Sequence, residues 1–371
     1  MPTVQEELIK EVNDNVGGIL FTGSDDRLNI DWISSGLLAF DKATQPHQGK
    51  GGIPVGRMVE LFGPTGSGKT TLALSTIAQA QADGKKCAFL DNENAFNPDF
   101  ARMLGVDIKN LIFSQDNEGE RTLDAVEALV WSGELDLIVI DSIAGLATCE
   151  ELKGNMDDKQ MADRARMWSK ATRKLCAALN KNDCTLLMVN QIREDVGGYG
   201  NPETTPGGRA IKFHASMRID VRQRDQFAEG RGDSRRVFGH KIRFRIKKNK
   251  VGKEWGVAFA DLWYDTGFDL EKDLINTAEE AEVVDVSGGW RTYVPLGVDP
   301  EEDDDKVIKE NGKDNFVEAL SNLEDSELLY QEIRERILLD REEPLYYKDE
   351  FEDDEDEEQQ TIDTWQEVTN E

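Results

Sequence analysis

Cysteine and histidine are scarce in this chain of 371 residues. It has three histidines and four cysteines, Cys87, Cys149, Cys176 and Cys184. The cysteines lie far apart, with no Cys-x-x-Cys pair and no histidine at ligand spacing, which argues against a structural zinc site. So few cysteines also argue against a disulfide-rich secreted scaffold, and we expect reduced thiols.

Long hydrophobic runs are also missing. No segment approaches the roughly 20 apolar residues that a membrane-spanning helix needs. The first residues, MPTVQEELIKEVNDNVGG, carry early acids and no apolar stretch, so they do not resemble a secretion signal. The sequence therefore predicts a cytoplasmic protein that has no membrane partner.

Positive charge is in deficit overall, but the deficit is unevenly distributed. The formal net charge is −30. Residues 298–371 hold 29 acids and 7 bases, whereas residues 1–297 hold 45 acids and 37 bases. Residues 209–253, which contain SRRVFGHKIRFRIKKNK, are clearly basic. A basic patch and an acidic tail thus coexist in one chain, and the acidic total does not exclude nucleic-acid binding.

From Arg57 onward the sequence alternates between apolar strand patterns and helical patterns. The strand-sized runs include RMVELFG, KCAFLDNE and LDLIVIDS. This alternation predicts an α/β fold with a mostly parallel sheet covered by helices on both faces. The alternating segments MRIDVRQR, KIRFRIKK and GVAFADLWY predict antiparallel strands that extend the sheet.

These patterns divide the chain into four segments. We expect an N-terminal helix and linker at residues 1–28 and an α/β core at residues 29–268. A small C-terminal α/β domain is expected at residues 269–340. Residues 341–371 have no base after Lys348 and too little apolar content for a core, so we predict a disordered acidic tail.

A glycine-rich stretch between a predicted strand and a predicted helix carries the clearest chemical signal. Residues 63–70, GPTGSGKT, fit the pattern G-x-x-x-x-G-K-[ST]. The glycines let backbone N–H groups face phosphate oxygens at the positive end of the following helix. Lys69 is expected to reach the β- and γ-phosphates, and the Thr70 hydroxyl to hold Mg²⁺. The predicted nucleotide-binding loop comprises Gly63, Pro64, Thr65, Gly66, Ser67, Gly68, Lys69, Thr70 and Thr71.

Two acidic residues stand where ATP hydrolysis would use them. Asp141 ends the apolar strand LIVID, the place of the carboxylate that helps to hold Mg²⁺ in P-loop ATPases, although an Asp there also serves as a simple cap. Glu93 ends the strand CAFLDNE, so its carboxylate should emerge at the same carboxyl edge of the sheet. We interpret Glu93 as a candidate general base for water.

Longer segments resemble the bacterial RecA recombinase family. GPTGSGKTTLAL, CAFLDNENAFNPDFARMLGVDIKNL, VNQIR and GNPETTPGGRAIKFHASMRIDVR follow the family's order at near-family spacing, from about Asn29 to Trp290. The resemblance implies a RecA-like P-loop ATPase core with a short N-terminal polymerisation helix and a small C-terminal α/β domain. Departures from the family pattern, such as Glu194, Asp195 and Arg209, would suit a bacteriophage-encoded member acting in its host's cytoplasm.

For ATP, the resemblance implies roles for residues outside the glycine-rich loop. It makes Glu93 the catalytic base and Gln191 the sensor that links the γ-phosphate to the DNA-binding loop. It also places Phe100 and Tyr264 on either side of adenine.

The resemblance further implies that ATP lies between two subunits. Lys248 and Lys250 would reach a neighbour's ATP, where positive charge stabilises the transferring phosphoryl group. Without the resemblance, both would be interpreted as solvated strand residues. Lys212 and Phe213 belong to the implied subunit interface.

For DNA, the resemblance implies two loops, at residues 152–161 and 193–209, and one helix face between them. Arg166, Ser169 and Arg173 share that face at i, i+3 and i+7, although ordinary helix surface has the same pattern. A second, weaker site would hold incoming duplex. The remaining DNA-binding predictions are Met161, Arg193, Gly207, Gly208 and Arg209 in the loops, and Arg243 and Arg245 in the second site.

The function implied is that of an ATP-dependent homologous recombinase in recombination and DNA repair. Such a protein forms a helical filament on single-stranded DNA, pairs it with homologous duplex and exchanges strands, with ATP and Mg²⁺ as cofactors. Single-strand-binding and loading proteins are further candidate partners. Two alternatives remain: a helicase or accessory ATPase of the same fold, and a filament protein that coats single strands without exchange.

Overall fold

The computed structural model describes residues 4–16, 20–25, 28–46, 49–154, 161–194, 203–230 and 234–339. The chain divides into two compact units, with the boundary between Asp31 and Trp32. The first unit contains helix α1 (Val4–Val16). The side-chain amide of Asn13, within this helix, donates to the carbonyl of Leu20 at 2.7 Å and accepts from the Leu20 N–H at 2.8 Å.

The second unit contains the remaining helices and all the strands of the described residues. The strands are β1 (Trp32–Ile33), β2 (Ile53–Pro54), β3 (Met58–Gly63), β4 (Cys87–Asp91), β5 (Ile112–Ser114), β6 (Leu137–Asp141), β7 (Thr185–Gln191), β8 (Arg193–Glu194), β9 (Glu203–Thr204), β10 (Met217–Glu229), β11 (Arg236–Asn249), β12 (Val257–Trp263), β13 (Gly267–Phe268), β14 (Asp285–Ser287), β15 (Trp290–Tyr293) and β16 (Ile308–Asn311). The helices are α2 (Leu38–Thr44), α3 (Lys69–Ala82), α4 (Pro98–Met103), α5 (Gly119–Trp131), α6 (Cys149–Lys153), α7 (Met161–Lys181), α8 (Gly208–His214), α9 (Leu270–Glu280), α10 (Lys313–Ser321) and α11 (Ser326–Leu339).

One nine-stranded sheet organises this unit. Its strand order is β13-β12-β11-β10-β3-β7-β6-β4-β5. The strands from β10 to β5 pair in parallel, and β11, β12 and β13 continue the sheet in antiparallel pairs. The predicted mostly parallel sheet with an antiparallel extension is therefore confirmed.

Successive side chains of a strand point to opposite sides of the sheet, and in the central strands the side chains on both sides are buried. Phe89, Val139 and Leu187 pack into one hydrophobic cluster with residues of α3. Leu90, Ile140 and Met188 pack into a second cluster with residues of α5 and α7. Continuous apolar runs such as LIVI follow from this two-sided burial. The carboxyl ends of β3, β4, β6 and β7 meet at one edge of the sheet.

A small α/β arrangement follows the large sheet, as predicted. Strands β14, β15 and β16 form a three-stranded antiparallel sheet, and α9, α10 and α11 pack around a core that includes Tyr293, Phe316 and Ile333. Leu38 of α2 lies in the same hydrophobic cluster. The Asp273 carboxylate of α9 also accepts the N–H of Leu38 at 2.5 Å, at the first turn of α2. Contacts therefore cross the predicted boundary at residue 269, and that boundary stays a prediction.

Two further expectations can be compared with the fold. All four cysteines are free thiols. No helix among the described ranges has the length and apolar character needed to cross a bilayer. The predicted tail, residues 341–371, lies outside the described residues.

Candidate functional site

The glycine-rich loop connects the end of β3 to the start of α3. Gly66 and Gly68 have φ angles of 77° and 89°, in the left-handed region that favours glycine. A Cβ added at Gly68 would lie 3.1 Å from Leu262 Cδ2, so the space is also restricted. The loop leads directly into the N-terminus of a 14-residue helix, α3, where backbone N–H groups and the helix dipole favour the binding of an anion.

Lys69 is the first residue of α3, and its side chain folds back along the loop. Its ammonium group donates to the carbonyl oxygens of Gly63 at 2.9 Å and Pro64 at 2.6 Å. Burial lowers the pKa of Lys69 to about 8, against the opposing effect of the Asp141 and Glu93 carboxylates. The ammonium is thus held beside the loop with two carboxylates near enough to affect its protonation.

Thr70 and Asp141 come together from different elements. The Thr70 hydroxyl on α3 donates to Asp141 Oδ2, at the end of β6, at 2.6 Å. Burial raises the pKa of Asp141 to about 6, although the hydrogen bond from Thr70 lowers it. A hydroxyl and a carboxylate are the hard oxygen ligands that Mg²⁺ prefers.

A metal ion at this pair would need further ligands from phosphates and water. Within the described ranges, no group of three or more His, Cys, Asp or Glu side chains is placed to hold a metal ion. Mg²⁺ commonly binds through one or two protein oxygens together with substrate phosphates and several waters. The residues present therefore fit a Mg²⁺–nucleotide complex better than a self-contained metal site.

The Glu93 carboxylate receives two donors from neighbouring strand ends. Gln191, the last residue of β7, donates from Nε2 to Glu93 Oε1 at 2.6 Å. The Ser142 hydroxyl, which follows β6, donates to the same oxygen. Strand β6 lies between β4 and β7, so Ser142 and Gln191 reach Glu93 from the ends of β6 and β7 at the carboxyl edge of the sheet. The structure thus brings the predicted base and the predicted sensor into direct contact.

The two residues predicted to flank adenine lie in segments that approach each other. Phe100 of α4 packs partly buried against the main core, whereas Tyr264 is 48% exposed. The Tyr264 hydroxyl is 2.7 Å from His240 Nδ1. A Cβ added at Gly267 would clash with Leu104 Cδ2, so the segment after α4 touches the turn that carries Tyr264.

The residues predicted for the subunit interface meet at the end of α8. Lys248 donates to the carbonyls of Lys212 at 2.6 Å and Phe213 at 3.1 Å, and Lys250 donates to the carbonyl of Phe213 at 2.9 Å. Burial and the charge of Lys250 lower the pKa of Lys248 to about 8. The Phe213 side chain is 77% exposed. Two cations and an exposed aromatic ring therefore share one surface.

The predicted DNA residues of α7 and α8 lie on adjoining elements. Arg166 and Arg173 are exposed on α7, and Ser169 is partly exposed between them. Arg166 also pairs with Asp163 at 3.1 Å. Gly208, at the start of α8, lies beside Ala165, since an added Cβ would be 3.7 Å from Ala165 Cβ. The loop glycines therefore adjoin the helix that carries the basic face.

The two predicted DNA loops are described only in part. Arg193 and Arg209 are both exposed, and Gly207 has a φ angle of 93°. Residues 155–160 of the first loop and 195–202 of the second, including Asp195, lie outside the described residues. Of Met161 only the backbone is described, as the first residue of α7.

The predicted second DNA site does not have the exposure we expected. Arg243 is buried, and its guanidinium lies 3.7 Å from the Asp220 carboxylate on the adjacent strand β10. Arg245 is partly exposed, and its guanidinium lies 5.5 Å from the centre of the Trp255 ring. Because a buried, paired guanidinium is poorly placed to contact a phosphate, the structure argues against a direct DNA contact for Arg243.

Comparison with known proteins decides the family. The RecA N-terminal domain family matches residues 4–269 of the chain. The chain belongs to the RecA family. It is 44% identical over 278 residues to protein RecA of Clostridium acetobutylicum, which covers 75% of this chain and 77% of that protein. Protein RecA of Staphylococcus carnosus gives 44% over 278 residues, covering 75% and 76%, and that of Clostridioides difficile gives 42% over 301 residues, covering 78% and 84%.

This membership confirms the predicted family, and the recombinase function of the RecA family is the function of this chain. Residue roles are not fixed by it. Two contacts at the RecA-type site were also missing from the sequence prediction. Ser142 directly follows Asp141, and that adjacency was the available signal. Gln223 donates from Nε2 to the Gly66 carbonyl at 2.5 Å, and no local pattern in β10 marks it.

Proposed function

We propose that the protein polymerises on single-stranded DNA, holds ATP between neighbouring subunits and exchanges strands with homologous duplex DNA. The RecA family is one of DNA-dependent ATPases that generally use ATP and Mg²⁺ and form filaments on DNA. The observation that carries the finer proposal is the convergence of Lys69, Thr70, Asp141, Glu93 and Gln191 at one edge of the sheet. A location in the cytoplasm stays a prediction.

Binding of the nucleotide would use the loop and the two residues after it. When bound, Mg²⁺ would neutralise phosphate charge. The N-terminus of α3 and the Lys69 ammonium would bind and orient the β- and γ-phosphates. Thr70 and Asp141 would position the metal, and this role is supported by the 2.6 Å distance between their oxygens.

Hydrolysis would use Glu93 as the base that accepts the proton of the attacking water. The donors Gln191 and Ser142 both bond Oε1, which fixes the orientation of the carboxylate. A general base of this kind typically contributes a factor of about 10²–10⁴ to the rate.

Coupling between ATP and DNA would begin at the same contact. Gln191 ends β7, and the second DNA loop starts two residues later, at Arg193. A change in the Glu93–Gln191 contact would therefore bias the start of that loop. ATP would act as a ligand that favours the DNA-binding arrangement, and its hydrolysis would release that arrangement.

Lys248 and Lys250, which contact the C-terminal end of α8, would complete the site of a neighbouring subunit. Their support is the shared surface of Lys248, Lys250 and the exposed Phe213 ring. Positive charge placed on a transferring phosphoryl group stabilises the transition state, and supplying it from a neighbour makes hydrolysis depend on assembly.

Electron microscopy with single-stranded DNA and a slowly hydrolysed ATP analogue tests this function. Helical filaments are expected, and rings would favour a helicase or accessory ATPase instead. A strand-invasion assay with homologous supercoiled duplex then tests exchange. Filaments that form but never generate joint molecules would indicate a single-strand-coating protein.

A further inference from the structure

A buried ion pair lies behind the glycine-rich loop, in the three adjacent strands β10, β3 and β7. Glu60, in the middle of β3, is completely buried. Its Oε2 accepts from Arg218 Nε of β10 at 2.5 Å, and its Oε1 accepts from Asn190 Nδ2 of β7 at 2.7 Å. A buried charge is costly unless it is paired and hydrogen-bonded, so these two partners are a condition for Glu60 to be there. ATP hydrolysis as proposed above does not use any of the three.

The carboxylate of Glu60 determines which way the Asn190 amide points. An ionised carboxylate only accepts hydrogen bonds, so the NH₂ group of Asn190, and not its oxygen, must face Glu60. The second proton of that NH₂ group is then directed to the carbonyl of Pro206, at 3.0 Å. Asn190 Oδ1 is buried and has no hydrogen-bond partner among the described residues. The two hydrogen bonds that the Asn190 amide donates therefore determine its orientation.

Pro206 is at the far end of the second DNA loop, immediately before Gly207 and Gly208. The loop starts two residues after β7 ends, and a hydrogen bond near its end ties it back to β7. At its start, Gln191 bonds Glu93, and at its end, Asn190 bonds Pro206. Since neighbouring side chains of a strand point to opposite faces, these two consecutive residues contact different partners.

We propose that Asn190 is a positioning residue that anchors the end of the second DNA loop to the ATP-binding strand β3, with Glu60 and Arg218 setting the direction of its amide. This inference rests on the proposed function of the loop in DNA binding. Loss of the anchor frees the segment 205–209 and weakens single-stranded DNA binding, while ATP binding is retained. The expected loss of DNA affinity is about ten-fold, the effect of one buried hydrogen bond.

The test uses the full-length protein and two readouts. Asn190→Ala is expected to speed amide exchange of the peptide that spans residues 205–209 by about ten-fold without DNA. It should also raise the Kd for a fluorescent oligonucleotide, measured with an ATP analogue, by about ten-fold. Binding of a fluorescent ATP analogue should be unchanged. Thr277→Ala is the matched control, because it removes a buried hydrogen bond, from its hydroxyl to the Asp273 carbonyl at 2.7 Å, far from the loop.

A double variant separates positioning from mere stability. In Glu60→Gln with Asn190→Asp, the new amide at position 60 donates to the new carboxylate at position 190, so the core hydrogen bond returns with its direction reversed. That carboxylate has no proton for the Pro206 carbonyl, and the loop should remain free and DNA binding weak even where the melting temperature recovers. Recovery of DNA affinity together with stability would overturn the positioning role.

The two proposals fail in different ways. Unchanged exchange at 205–209 in folded Asn190→Ala would refute the anchor, whatever the DNA affinity. Absence of single-stranded DNA binding in the unaltered protein would instead refute the recombinase function, and the exchange measurement would still decide the anchor.

Discussion

Burial lowers the pKa of both Lys69 and Lys248 to about 8, but the charged groups around the two side chains differ. Lys69 is 6% exposed, and the carboxylates of Asp141 and Glu93 from the same chain act on its charge. Lys248 is partly exposed beside Lys250 and the exposed ring of Phe213, and burial is the main cause of its lowered pKa, with the charge of Lys250 lowering it further. A like charge held close disfavours protonation, and an anion brought to that surface would relieve the repulsion.

The difference supports a division of the proposed ATP site between two chains. The loop, Thr70, Asp141, Glu93 and Gln191 are assembled within a single chain. The lysine pair has the opposite character, because it concentrates positive charge on a face that carries an exposed aromatic ring. As proposed above, phosphates of a neighbour's nucleotide would complement the charge of this face. The following predictions test this division, beginning with the largest effect.

Lys69→Ala should abolish ATP turnover, with a loss of at least about 100-fold, because the variant lacks the charge that binds the phosphates. ATP-dependent DNA binding should be lost with it. Steady-state ATPase assays with single-stranded DNA measure the effect, and Lys86→Ala, which removes an exposed ion pair with Glu134, is the control. Turnover equal to that of the control would contradict the assignment of the nucleotide site.

Glu93→Gln should slow hydrolysis by about 10²–10⁴-fold while ATP binding survives, since the amide retains the size of the side chain and loses its basicity. Filaments on DNA should then persist for longer. Single-turnover hydrolysis and nucleotide titration measure the two effects separately. If nucleotide affinity falls together with turnover, Glu93 is a binding residue and not the base.

Lys248→Ala and Lys250→Ala should each reduce DNA-stimulated hydrolysis by about 10- to 100-fold, with ATP binding to the isolated chain retained. Mixing either variant with Lys69→Ala tests the division directly. In mixed filaments, some interfaces pair an intact loop with a neighbour's intact lysines, so part of the activity should return. Activity that stays absent at every mixing ratio would show that the lysines act within their own subunit.

The convergence of the residues proposed to bind and hydrolyse ATP could largely be predicted from sequence, because these residues lie near strand ends. In a parallel sheet, the carboxyl ends of β3, β4, β6 and β7 meet at one edge, which brings Lys69, Asp141 and Glu93 together without knowledge of the packing. Gln191 was placed by family resemblance, and its contact with Glu93 agrees with that role.

The burial of Arg243 and the contacts of Asn190 could not be predicted in this way. Arg243 alternates with apolar residues along β11, and that pattern indicates a polar face without showing what covers it. The partner that buries it, Asp220, comes from another strand, over 20 positions away in the sequence. The role of Asn190 could not be predicted for a similar reason, because its partners Glu60 and Pro206 lie on other segments of the chain.

The smallest effect is expected from removal of the acidic tail. Because Arg243 is buried, the tail would have to contact other basic residues. Residues 349–371 contain twelve acids and no base. Such a segment can compete with phosphates for accessible basic residues, such as Arg245, Arg166 and Arg173, by imitating the charge of DNA. The simpler alternative is that it only keeps a filament-forming protein soluble.

Removal of residues 349–371 should tighten duplex binding by about five-fold at low salt and lower the Mg²⁺ needed for strand exchange, since Mg²⁺ otherwise screens the tail. The difference should shrink as salt rises, because screening weakens tail and DNA contacts alike. A tail of unchanged length with its acids replaced by Asn and Gln is the matched control and should behave like the truncation. Unchanged duplex affinity and Mg²⁺ dependence in both variants, with a difference in solubility alone, would leave the tail as a solubility element.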